Sequence, residues 1–323
     1  MNMQLLQPIL NQEFATKKDF LHIADFSPAE IQDLLDLALA LKKEYFNGGN
    51  PPILQGKTLA MIFQKPSLRT RVSFEMAMRH LGGHAMYLSP AEIGLGKRES
   101  IADVARVLSG YVHGIMARVF DHEHIVELAK WASIPVINGL SDYNHPCQAL
   151  ADALTIQEKF GKAKGLNIAF IGDGNNVAVS LMHICAKLGW NFTIANPTGY
   201  EIAANAVEIA KDITLETGAN ISFYHNPYEA VKEADVIYTD TWTSMGQEEE
   251  SAQREKAFAE YQVNHQLMSE AKKEAIVMHC LPAHRNHEIT DDVADGLQSV
   301  IFPQAHNRLH AQKAILARVF GVA

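Results

Sequence analysis

The feature that most constrains this chain is a repeated alternation of short, continuous apolar runs with amphipathic stretches. A run that is apolar on both faces suits a strand covered on both sides, and such strands build parallel sheets flanked by helices. A first series of predicted strands covers Thr58–Phe63, Ala85–Leu88, Gly114–Arg118 and Pro135–Asn138, with helices predicted at Thr70–Leu81, Ile101–Tyr111 and His124–Ala132. A second series covers Asn167–Ile171, Phe192–Ala195, Ile221–Tyr224, Val236–Thr239, Ala275–His279 and Ser299–Phe302, with helices at Val177–Leu188 and Ile202–Thr217. The expected class is therefore α/β with two domains, each a parallel β-sheet flanked by helices, and an active site in the cleft between them. The expected boundaries are residues 1–149 and 150–303, joined by a helix near Gln148–Phe160, with a helix in 304–323 packing back on the first domain. Ser27-Pro28-Ala29-Glu30 reads as a capping box that opens a helix, and Gly48-Gly49 ends it.

A length of 323 residues fits about two domains. The formal charge of -9, with no run of Lys or Arg, argues against nucleic acid as a partner. Cys147, Cys185 and Cys280 are odd in number and form no CxxC pair, which suits a reducing compartment. Met1 to Phe20 lacks the basic and apolar regions of a leader, and no apolar run reaches the ~18 residues of a membrane span. A cytoplasmic location is the expectation.

Sites in such sheets lie beyond the C-terminal ends of the strands. After Thr58–Phe63 comes Lys65-Pro66-Ser67-Leu68-Arg69-Thr70-Arg71, where a strand feeds a turn and a helix opens. The first N–H groups of a helix have no intrahelical partner and attract anions. Ser67 adds a hydroxyl, and Arg69 and Arg71 add guanidinium forks suited to phosphate. Cations in a first turn oppose the helix dipole, a cost that a bound anion offsets. The competing reading is an N-capped helix with solvated arginines.

Arg118 ends a strand, placed for a cleft or for an interface salt bridge. His145-Pro146-Cys147-Gln148 opens a helix, where a cationic imidazole is disfavoured, so His145 should be neutral and able to donate to a carbonyl oxygen. Simple capping is its alternative role. Gly172-Asp173-Gly174-Asn175-Asn176-Val177 departs from a dinucleotide fingerprint at its last position, and the next strand ends in Asn196-Pro197 without the acidic residue that binds a ribose. Asn176 reads instead as an amide for a carboxylate. Asp240, at the end of a strand, can pair with an ammonium, and Ser244-Met245-Gly246 reads as a loop able to close; a capped loop is the alternative. Cys280, His284 and His287 lack a fourth ligand, so no metal is expected. Asp121-His122-Glu123-His124 reads as a solvated helix start.

These motifs, in this order from Lys18 onward, resemble the aspartate and ornithine carbamoyltransferase family. Ser67-Leu68-Arg69-Thr70-Arg71 looks like its carbamoyl-phosphate motif, with Leu68 where Thr is usual. His145 and Gln148 match its His-Pro-x-Gln, and His279-Cys280-Leu281-Pro282 its His-Cys-Leu-Pro. The Ser-Met-Gly loop resembles the family's ornithine-specific loop, unlike those for aspartate, putrescine or N-acetylornithine. The resemblance implies carbamoyl transfer from carbamoyl phosphate to L-ornithine, giving citrulline within arginine metabolism, with no cofactor and a homotrimer or an assembly of trimers. It implies that Arg118, His145 and Cys280 are catalytic. It also implies that Ser67, Leu68, Arg69, Thr70, Arg71, Gln148, Leu281 and Arg308, with those three, bind carbamoyl phosphate. Asn176, Asp240, Ser244 and Met245 would bind ornithine. In the family a neighbouring subunit's loop completes the site; the matching loop here is Glu92 to Glu99, with Gly94 where relatives commonly carry Gln or His, and Lys97 or Arg98 is a candidate substitute. Two other readings stay open from sequence: transfer to a related amine, and a non-catalytic binding protein.

Direct attack by an amine carries a pH signature. An alkylammonium has a pKa of about 10, so only about 0.1% is neutral at pH 7. With saturating ornithine, the rate is expected to rise between about pH 6 and about pH 9 as the neutral amine becomes available. A flat steady-state profile over that range would rule out attack by the free amine as the slow step.

Overall fold

The computed structural model describes residues 19–244 and 246–322, the side chain of Glu248 excepted. Residues 1–18, most of the stretch read above for a leader, lie outside the described residues. No helix among the described residues is long and apolar enough to cross a membrane. The chain divides into two compact units, Met1–Leu154 with Asn307–Ala323, and Thr155–His306.

In the first unit the elements run α1 (Pro28–Phe46), β1 (Thr58–Phe63), α2 (Leu68–His80), β2 (His84–Leu88), α3 (Pro90–Ile93), α4 (Ile101–Ser109), β3 (Gly114–Arg118), α5 (His122–Trp131) and β4 (Val136–Leu140). Helix α6 (Pro146–Phe160) carries the chain out of this unit. The second unit holds β5 (Asn167–Ile171), α7 (Asn176–Leu188), β6 (Asn191–Ala195), α8 (Ala204–Thr217), β7 (Ile221–Tyr224), α9 (Pro227–Ala230), β8 (Val236–Thr239), α10 (Ser251–Phe258), α11 (His265–Met268), β9 (Ile276–His279) and α12 (Asp291–Ala294). Helix α13 (Ile301–Val319) begins here and ends in the first unit.

Both sheets are parallel, in the orders β2-β1-β3-β4 and β7-β6-β5-β8-β9. In each, the strand order reverses once: between β1 and β3, and between β5 and β8. A crevice opens at such a switch point, beyond the C-terminal strand ends. Phe63 pairs with Arg118 at the first, and Ile171 with Thr239 at the second. The segments after these four residues are the ones expected to carry the site.

The central strands are buried on both faces, as continuous apolar runs require, with β3 and β4 showing no exposed position, whereas the edge strands β2 and β7 are partly exposed. Ser27 caps α1 through the expected capping box, its side chain accepting from the Glu30 N–H and the Glu30 carboxylate accepting from the Ser27 N–H. The strand expected at Ser299–Phe302 is not formed. Ser299 makes only an isolated bridge to Val277, and α13 starts at Ile301. A four-residue apolar run cannot separate a strand from a first helical turn, and Pro303 suits a first turn, where its missing N–H has no helical partner to lose.

A buried cation ties the middle of α13 to the end of α1 and the loop after it. Lys313 of α13 is fully buried; its Nζ donates to Asn50 Oδ1 at 2.6 Å and lies 4.3 Å from the centre of the Tyr45 ring. Burial lowers its pKa from 10.5 to about 8, against a smaller opposing pull from Glu44. Because the folded value lies below the unfolded one, the unfolded chain holds this proton more tightly, and stability gained through Lys313 rises as pH climbs from about 8 toward 10.5. In urea unfolding, wild type is expected to gain stability relative to Lys313→Met across that range; a difference independent of pH would show that Lys313 does not titrate low.

Candidate active site

In the first unit the site grows from the end of β1. Ser67 caps α2, its hydroxyl accepting from the Thr70 N–H at 3.3 Å. Leu68 points to solvent with 75% exposure, whereas Thr70 is buried. A long-range lattice fixes Thr70. Arg308 of α13 donates to Thr70 Oγ1 at 3.2 Å and to Gln148 Oε1 at 2.8 Å. Gln148 in turn donates from Nε2 to Asp152 at 2.8 Å, one turn further along α6. Thr70, Gln148, Asp152 and Arg308 are all buried.

His145 stands just before α6, its carbonyl accepting from the Gln148 and Ala149 N–H groups. Burial holds its pKa well below 6.5, and the charges of Arg308, Arg118 and Arg69 push it lower still. The imidazole is thus neutral at physiological pH, as its place at a helix N-terminus suggested. The turn that presents it is pinned by buried groups: Asn138 Nδ2 donates to Asn144 Oδ1 and to Leu21 O, and the Asn144 N–H donates to Ser141 Oγ. Arg118 is buried at the end of β3. Arg71 is held elsewhere, its guanidinium 4.0 Å from the centre of the Tyr87 ring and its Nε 3.9 Å from Glu75.

In the second unit, Asp240 follows β8 and is buried. Its Oδ1 accepts from the Cys280 thiol at 3.1 Å and its Oδ2 from Asn175 Nδ2 at 2.9 Å. The structure puts Asn175 beside Asp240, a neighbour the sequence reading did not name, while Asn176, expected from sequence to meet ornithine, opens α7. Asn175 is also the N-cap of α7, its Oδ1 accepting from the Val177 and Ala178 N–H groups. One amide thus does two jobs, and Asn176 becomes the first helical residue.

Ser244 lies in a tight turn, its N–H donating to Gln247 Oε1 at 3.1 Å. Met245 lies outside the described residues. The loop is anchored by Arg254, which the sequence reading missed: Nη1 donates to Trp242 O at 3.0 Å and to Asp173 at 2.9 Å, and Nε donates to Glu250 at 2.9 Å.

Leu281 takes a left-handed backbone conformation, φ 59°, with its N–H donating to His279 Nδ1 at 2.9 Å. An Nδ1 that accepts implies that Nε2 carries the proton, which it gives to Glu288 Oε1 at 3.0 Å. Among the described residues, one group has metal-ligand atoms within 4.8 Å of one another, Asp240, His279 and Cys280, rather than the Cys280, His284 and His287 set weighed from sequence. Both ring nitrogens of His279 are already engaged, so it has no lone pair to offer.

Two further expectations change. The Asp121–His124 segment is more than a solvated start: Asp121 caps α5, His122 Nδ1 meets Ser141 Oγ at 2.8 Å, and His124 Nδ1 meets Gln64 Nε2 at 3.2 Å. Gln64 also donates to Leu95 O at 3.1 Å, tying down the loop that carries Gly94. Gly94 is the left-handed cap of α3, φ 56°, and a Cβ there would meet Arg98 Cβ at 2.8 Å. Arg98 folds back onto Glu92 O at 2.8 Å.

A family profile described as "Aspartate/ornithine carbamoyltransferase, carbamoyl-P binding domain" matches residues 18–158, and one described as "Aspartate/ornithine carbamoyltransferase, Asp/Orn binding domain" matches 164–319. An ornithine carbamoyltransferase of Anoxybacillus flavithermus is 56% identical over 299 residues, 93% of this chain and 95% of the relative. The anabolic ornithine carbamoyltransferase of Pyrococcus furiosus is 54% identical over 304 residues, 94% of this chain and 96% of the relative. A solved structure of ornithine carbamoyltransferase from Pyrococcus furiosus superposes with a TM-score of 0.92, covering 94% of this chain and 97% of that one.

The double use of Asn175 has a measurable consequence. Asn175→Ala is expected to cost about 1 kcal/mol through the lost cap. Asn175→Asp keeps a capping oxygen but sets a carboxylate against Asp240. Urea unfolding at neutral and acidic pH separates them: the Asp variant should recover on acidification, and the Ala variant should not. Equal losses at both pH values for both variants would leave the cap as the whole role.

Proposed function

The chain belongs to the aspartate/ornithine carbamoyltransferase family, and from that premise we propose how its residues carry the reaction. The enzyme transfers the carbamoyl group of carbamoyl phosphate to the δ-amine of L-ornithine, giving L-citrulline and phosphate. The observation that carries the residue assignment is a neutral, buried His145 under the influence of Arg69, Arg118 and Arg308.

That arrangement suits a dianionic substrate with a carbonyl at one end. The phosphate sits at the N-terminus of α2, on the Ser67 hydroxyl, the N–H groups of Leu68 to Thr70, and Arg69. Leu68 contributes only its backbone. Arg71 joins when its guanidinium leaves Tyr87, an exposed cation–π contact worth only about 0.5–1 kcal/mol. Thr70 already accepts from Arg308, which leaves its hydroxyl hydrogen for the carbamoyl oxygen. His145 and Arg118 donate to the same oxygen. These donors form an oxyanion hole, strongest as negative charge grows in the tetrahedral intermediate. Gln148 Oε1 and Leu281 O accept from the carbamoyl nitrogen.

Asp240 holds the α-ammonium of ornithine, with Asn175 and Cys280 orienting its carboxylate. Asn176, Ser244 and Met245 hold the rest of the amino-acid end, and Cys280 lies by the attacking amine. Fixing both reactants turns the attack into an effectively unimolecular step. Carbon–nitrogen bond formation and loss of phosphate need no cofactor, metal or covalent enzyme intermediate. We further propose a homotrimer or an assembly of trimers, in the cytoplasm and serving arginine metabolism, with the loop around Gly94 placed at a neighbouring subunit's site.

Competing acceptors test the ornithine half. With citrulline formation as readout, kcat/KM for ornithine is expected to exceed that for putrescine or N-acetylornithine by at least about 100-fold. Asp240→Asn should raise the ornithine KM and leave that of carbamoyl phosphate near wild type. Equal use of putrescine would overturn the assignment of Asp240 to the α-ammonium.

A further inference from the structure

We propose that Asp152 is a positioning residue that makes the carbamoyl subsite select an NH2 group over a methyl group. This rests on the reading that Gln148 meets the carbamoyl nitrogen. A glutamine amide has two orientations of nearly equal shape, and the wrong one presents a donor where an acceptor is needed. Here both neighbours favour the same one. Asp152 accepts from Nε2 at 2.8 Å, and Arg308 donates to Oε1 at 2.8 Å. Flipping the amide would set NH2 against a guanidinium and oxygen against a carboxylate, with Gln148 only 2% exposed and Asp152 at 0%. Water therefore cannot rescue the flipped form.

With its orientation locked, Oε1 keeps one lone pair for the ligand after serving Arg308. The NH2 of carbamoyl phosphate can donate to it. Acetyl phosphate has nearly the same shape and charge, but places a methyl group there and leaves that lone pair dry. A site built around a hydrogen bond rejects the analogue that lacks it, whereas shape alone discriminates weakly. Arg308 fixes the acceptor end through Nη1, with Nη2 on Thr70, and Asp152 fixes the donor end, so losing Asp152 leaves only one end of the amide specified. The i,i+4 spacing of Gln148 and Asp152 on α6 places the selecting carboxylate one helical turn along from the amide it orients.

The test uses the intact enzyme with two probes, the KM of carbamoyl phosphate and the Ki of acetyl phosphate as a competitive inhibitor. Their ratio measures selection and cancels changes in phosphate affinity. Asp152→Asn, which can pair with either end of the amide, is expected to lower the Ki/KM ratio about tenfold, mainly by raising KM. Gln148→Glu combined with Asp152→Asn places an oxygen at both ends of residue 148 and is expected to restore the ratio. An unchanged ratio in Asp152→Asn, or a double variant no more selective than Asp152→Asn, overturns the proposal. If Asp152→Asn does not fold, the double variant decides alone: a ratio near wild type supports the proposal and a collapsed one overturns it. Gln148→Leu separates the two layers. A ratio unaffected by Gln148→Leu would remove Gln148 from the carbamoyl nitrogen, whereas a ratio lowered there but not in Asp152→Asn defeats the Asp152 inference alone.

Discussion

The first half-site depends on positive charge being held around a group that refuses to share it. Arg69, Arg118 and Arg308 all act on His145, and burial removes the water that would screen them. Such a cluster is costly unless something negative answers it. Asp152 answers part of it from within, through Gln148. The remainder is what the proposed phosphate dianion would supply. The imidazole stays neutral because burial strips it of water and because protonation would add a fourth cation.

The second half-site uses the same topological device with the opposite charge. It too starts at a point where strand order reverses, but the residue at the strand end is Asp240 rather than Arg118. Both of its oxygens accept, one from a thiol and the other from an amide. Arg254 then fixes the loop that follows β8 through one carbonyl and two carboxylates. One architectural rule thus places a buried cation at one strand end and a buried carboxylate at the other, distinguished by which residue stands there.

Much of this was legible from local sequence, for stated reasons. Strands such as β1, β3, β5 and β8 begin and end where their apolar runs do, because burial on both faces leaves no ambiguity. The places of Ser67, Arg118, His145 and Asp240 at strand ends and helix starts could be read because apolar runs and capping patterns mark those boundaries. What sequence could not reveal were partners far apart in the chain. Arg308 reaches Gln148 across 160 residues, and nothing local to either announces the other. Asn175 and Asn176 are adjacent amides, and only the path of the turn decides which becomes the cap. Ser299–Phe302 was too short to show its period.

Gly94 illustrates how a loop can close off its own mutational neighbours. Its left-handed conformation ends α3, and the space a Cβ needs is taken by Arg98. Introducing Gln or His at that one position would strain the backbone before the new side chain reached anything. Placing a side chain at position 94 therefore calls for changing Gly94 and Arg98 together with the turn that joins them. The segment behaves as one coupled unit rather than as a set of independently tunable positions.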